Sequence, residues 1–64
     1  MKIKCEAILV NPAQQDNLCQ CITILGGTPI VENDKVSVIY DGEKWETMVG
    51  LFEHYVRHTI HIAE

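Results

Sequence analysis

The 64-residue sequence predicts an α+β fold: a two-layer α/β sandwich in the order β-α-β-β-α, with sheet order 1-3-2 and both helices on one face. Three observations lead there. In residues 35–40, Val36, Val38 and Tyr40 alternate with Lys35, Ser37 and Ile39, the period of two that marks a strand. After Asp41-Gly42 the apolar spacing becomes helical from Trp45 onward. Earlier, Asn11-Pro12 and Gly26-Gly27-Thr28-Pro29 bracket a first helix. A right-handed crossover makes the first two strands parallel, and a hairpin brings the third back between them. Both helices then cover one side of the sheet.

Residues 2–10 read as the first strand, with Ile3, Cys5, Ala7 and Leu9 on one face. Asn11 can accept from the free amides of a first helical turn, and Pro12 suits the first helical position. Leu18, Cys21, Ile22 and Leu25 gather on one stripe of that helix, and Gly26 offers the left-handed conformation that ends it. Residues 29–32 and 35–40 form a hairpin about Asn33-Asp34, two residues that tolerate positive φ. Asp41 is the expected cap of the second helix.

Trp45, Met48, Val49, Phe52, Tyr55 and Val56 make the apolar stripe of that helix, and Thr59, Ile60, Ile62 and Ala63 stay within or beside it. No Gly, Pro, Asn or Asp follows Gly50 to form a turn, so one helix to about residue 62 is the favoured reading. The same tail also alternates. If it is a strand, the fold is a complete ferredoxin-like βαββαβ unit.

The chain makes one domain over residues 1–64, short enough that its core leaves it marginal and in need of a partner, metal or cross-link. Three Cys fit no closed disulfide framework, which points to reduced thiols and the cytoplasm. No apolar run approaches the roughly 18–20 residues of a membrane span, and there is no signal-peptide core. With five Lys plus Arg against nine Asp plus Glu, the charge of −4 disfavours nucleic acid.

His54, His58 and His61 are the main chemical candidates. On a helix their spacing places them on one exposed face, where two imidazoles a turn apart can hold a divalent zinc, nickel or copper ion. The competing reading is a solvated polar face. Cys19 and Cys21 point apart on a helix, so they cannot share an ion or form a disulfide, and free Cys packs as a small hydrophobe. Gly26-Gly27 follows a helix, whereas a phosphate cradle precedes one. No nucleophile elbow, H-E-x-x-H or Ser-x-x-Lys occurs. A domain this size also leaves little room for a pocket of several hundred Å3, on the order of what small ligands require. The reading is therefore not an enzyme.

Tyr40 and Trp45 are either core residues or aromatic anchors for a partner. A helix reaching residue 62 would overhang the sheet and expose Ile60 and Ile62, giving a docking surface. The resulting expectation is a small non-catalytic cytosolic protein-interaction or regulatory module, working as a homo-oligomer or bound to a larger protein. Compact acidic domains of this size are common on phages and mobile elements, although no residue here marks that origin. The alternatives are a metal-binding protein using the His face, and a ferredoxin-like regulatory domain with a small ligand between subunits. The copper-chaperone type of that fold has a Cys-x-x-Cys loop where this chain has Asn11-Pro12.

Overall fold

The computed structural model describes residues 1–62. Its elements are β1 (Lys2–Ile8), α1 (Pro12–Ile24), β2 (Ile30–Glu32), β3 (Lys35–Asp41), α2 (Trp45–Glu53) and β4 (His58–Ile62). All neighbouring strands are antiparallel in the order β2-β3-β1-β4. The two-layer sandwich and the 1-3-2 strand order are present, and a fourth strand completes the βαββαβ arrangement.

That strand corrects the favoured reading of the tail. α2 stops at Glu53, and His58–Ile62 pairs with β1 from Ile3↔Ile62 to Ala7↔His58. The turn needs no Gly, Pro, Asn or Asp. His54 stays right-handed at φ −64°, Tyr55 donates its N–H to Phe52 O at 3.1 Å, and the His58 ring meets Tyr55 O at 2.6 Å. Two effects favour the strand. Val56, Thr59, Ile60 and Ile62 are β-branched, poor in helices and good in strands. In addition, a three-stranded sheet would leave β1 with an open backbone edge, and β4 satisfies it. Ala63, the last member of the expected helical stripe, lies outside the described residues.

β1 is the centre of the molecule. Ile3, Cys5 and Ala7, with Leu9 just beyond, are buried beneath the helices, and Val36, Val38 and Tyr40 join them from β3. Leu18 and Ile22 of α1 and Met48 and Phe52 of α2 close the core. On the open face Glu6 bridges Lys4 at 3.3 Å and Lys35 at 4.0 Å, pairs too exposed to contribute much.

Local signals explain most boundaries. The Asn11 side chain accepts from Ala13 N at 2.9 Å. At the other end Gly26 takes φ +92°, and the bonds Gly26 N→Thr23 O and Gly27 N→Ile22 O form a Schellman cap. Asn33 holds φ 56° in the hairpin turn. Gln15, which nothing in the sequence singled out, donates to Leu9 O at 2.6 Å and to Asn33 O at 3.3 Å, tying the hairpin turn to the end of β1. Asp41 is not a cap. It ends β3, 3.9 Å from the N-terminal ammonium, and α2 starts at Trp45, with Lys44 at the N-cap making no side-chain cap bond.

The two glycines after α1 do different work. A Cβ at Gly26 would meet no atom but would strain a left-handed residue, whereas one at Gly27 would lie 2.9 Å from Ile22 Cγ2 and 3.1 Å from both Met48 and Val38. We therefore expect Gly27→Ala to cost about 1–3 kcal/mol by overpacking the core. Gly26→Ala should cost about 1 kcal/mol through backbone strain. Thermal unfolding of both variants checks this, since about 1 kcal/mol lowers Tm by roughly 4–8 °C in a domain this small. An unchanged Gly27→Ala would contradict the packing described.

Candidate functional site

A concavity lies between the two helices on their outer side. It is an open groove of about 530 Å3, lined by Cys21, Ile24 and Leu25 from the end of α1 and by Thr47, Gly50, Leu51 and His54 from α2. The α2 contributors fall at i, i+3, i+4 and i+7, a single stripe turned away from the core residues Met48 and Phe52. A domain this size was expected to leave little room for a pocket of several hundred Å3; the groove is of that order, but it is open to solvent rather than enclosed. At the middle of the stripe Gly50 places no side chain in the groove, and no atom lies within 4 Å of where its Cβ would be. Gly50 has no positive φ, so neither packing nor backbone conformation within this chain requires a glycine there.

Ile24, 79% exposed, stands on the α1 wall of the groove. Three of its lining residues carry polar groups: Cys21, Thr47 and His54. Among the described residues no side-chain hydrogen bond links them. A second, more polar cleft of about 390 Å3 lies between the β1–α1 junction and the turn after α2, with His54 on the ridge separating the two.

The three histidines do not form the expected face. Their common face required a helix through residue 61, and α2 ends at Glu53. His54 caps α2. His58 and His61, three residues apart on β4, point to opposite sides of the sheet, with His61 opposite Lys4 on the open face. Among the described residues, no three His, Cys, Asp or Glu side chains converge where an ion could bind.

The aromatic and aliphatic candidates also separate. Tyr40, 9% exposed, is a core residue whose ring passes beneath Gly42, so it is not a free anchor. Trp45 is half-buried against the end of the core. Ile60 is half-buried and Ile62 is 65% exposed; both lie on the helix side of an edge strand rather than on an overhanging helix. No helix among the described residues is long and apolar enough to cross a membrane.

The cysteines divide by environment, and none is paired. Cys5 is enclosed in the core, and burial pushes its thiol up to about 11. Cys19 packs against the core and is shifted up by burial and then by the Asp16 carboxylate. Cys21 opens on the groove, and beside it Tyr55 is raised by burial and then by the Cys21 charge. Because the Cys5 shift is upward, its contribution to stability is complete below about pH 9 and is lost as pH rises toward 11. We expect wild-type stability to fall across that interval and Cys5→Ala to lose less of it, as measured by urea unfolding at several pH values. Equal slopes would contradict a buried Cys5.

No protein-family model, curated protein or solved structure matches the chain. Fold alone does not assign function.

Proposed function

We propose that this chain is a small, non-catalytic, cytosolic protein-interaction or regulatory module, working as a homo-oligomer or bound to a larger protein. The supporting observation is the apolar groove between α1 and α2, lined by Ile24, Leu25 and Leu51 with the bare Gly50 backbone on its α2 wall. A glycine in a helix interior costs about 0.5–1 kcal/mol relative to alanine. Here it borders an open space that the domain's own core does not use. The groove takes apolar side chains from a partner, and its few polar residues are Thr47 and His54 at the ends of the α2 stripe and Cys21 on α1. Three unpaired thiols fit a reducing compartment.

A second reading has one observation of its own. The groove's volume of about 530 Å3 falls within the range of small-molecule sites, which favours an apolar ligand held by a regulatory domain. Titration with apolar small molecules, read by shifts of the Gly50 and Leu51 amide resonances, separates the two.

Photo-cross-linking tests the main reading. A photoreactive residue at Leu51, in the chain expressed in cells, should give one or two adducts of discrete mass, competed by unlabelled wild type. The same group at Thr23, on the exposed side of α1, should give none. A folded Leu51 probe that yields no adduct contradicts the proposal.

A further inference from the structure

The backbone hydrogen bonds of β1 reveal which groups on β4 are free. Leu9 N donates to Asp34 O at 2.6 Å, and Ile8 N donates to Arg57 O at 3.0 Å. Odd-numbered β1 residues therefore turn their backbone groups toward β3, and even-numbered ones toward β4. In an antiparallel ladder, paired residues alternate between exchanging both bonds and exchanging none. The register then makes Lys4↔His61 and Glu6↔Thr59 the bonded pairs, and Ala7↔His58, Cys5↔Ile60 and Ile3↔Ile62 the unbonded ones. The N–H and C=O groups of His58, Ile60 and Ile62 consequently face away from the sheet. The other edge is much smaller: β2 has three residues, and by the same alternation only Val31 faces outward.

We propose that β4 pairs antiparallel with β4 of a second copy about a two-fold axis at Ile60, joining two four-stranded sheets into one of eight strands. The proposal rests on the interaction-module reading and names a partner and a surface for it. Self-pairing in this register uses every outward group. Ile60 exchanges two bonds with its counterpart, and His58 and Ile62 exchange two with each other at either side, six bonds in all by the ladder geometry. Any other register of the same parity leaves an outward residue of each copy unpaired.

Side-chain chemistry agrees. Residues 58–62, HTIHI, contain no carboxylate, lysine, proline or bulge, the usual devices that keep an edge from pairing. The two-fold puts Ile60 against Ile60 and the exposed Ile62 against His58 on the helix side, with Thr59 opposite His61 on the other. The contact closes after one addition, because each copy uses the same edge. Joining β4 to β2 would instead set three outward residues against one.

A five-residue seam is small, so the dimer should be weak, with Kd in about the 10 µM–1 mM range. The test combines light scattering with amide hydrogen exchange on the wild-type chain, at about 50 µM and about 1 mM. The expected result is a mass rising from 7.3 kDa toward twice that value, with the Ile60 N–H exchanging several-fold more slowly at the higher concentration. Thr59 and His61, bonded to β1 in either state, should stay protected throughout. Ile62→Lys, at an exposed position, should weaken dimerisation at least tenfold while leaving Thr59 and His61 protected. A monomer at 1 mM overturns the pairing but leaves the cross-linking result at the groove standing. A dimer in which the Ile60 amide exchanges as in the monomer, or which Ile62→Lys does not weaken, also overturns it and places the contact elsewhere.

Discussion

The backbone of β1 is claimed from both sides while one of its faces is sealed, and this double constraint organises the molecule. Ile3, Cys5 and Ala7 are at most 1% exposed, and Leu9 is 5% exposed. The same strand pairs with β3 over seven residues and with β4 over five. A slip of one residue would exchange that apolar row for Lys4 and Glu6 and put both charges under the helices. The register is therefore strongly specified. The hairpin must arrive on one side and the tail on the other, while α1 and α2 roof the row between.

Much of this was legible in the residues, because the signals are local. Asn11-Pro12, the two glycines after α1 and the Asn33 turn each fix backbone geometry through their own chemistry, and each occupies the expected place. The alternation in residues 35–40 marked the buried row of β3. The end of α2 was harder, because residues 54–62 satisfy a period of 3.6 and a period of two equally well. Only the open edge of β1 decides between them, and that edge is a property of the assembled sheet. The histidine cluster failed with the helix it required: one change of period sent His58 and His61 to opposite sides of a strand.

The groove was illegible for a different reason. It is built from residues about one-half of the chain apart, Cys21 to Leu25 on one wall and Thr47 to His54 on the other, and its shape depends on how α1 meets α2. Gly50 was the one trace of it, a glycine inside a short helix with no turn to make. The free backbone groups of β4 were equally hidden, since outward and inward residues can be told apart only once the pairing with β1 is known. In physical terms, side-chain periodicity reports burial, whereas surfaces for partners arise where complete elements stop short of one another.

The exposed edge of β4 traces back to the shortness of α2. A helix of nine residues covers about 13 Å at 1.5 Å per residue, enough to seal β1 and reach β4 without burying Ile62. The chain after it is then free to extend as an edge strand. The pairing of β4 with β1 is thus the central claim, and nuclear Overhauser contacts between α-protons test it most directly. In the unbonded pairs of an antiparallel ladder the Cα atoms approach to about 4.5 Å, so strong Hα–Hα contacts are expected for Cys5 with Ile60 and for Ala7 with His58. A run of sequential amide–amide and Hα(i)–HN(i+3) contacts from Tyr55 through Ile62, with those two cross-strand peaks missing, would contradict it.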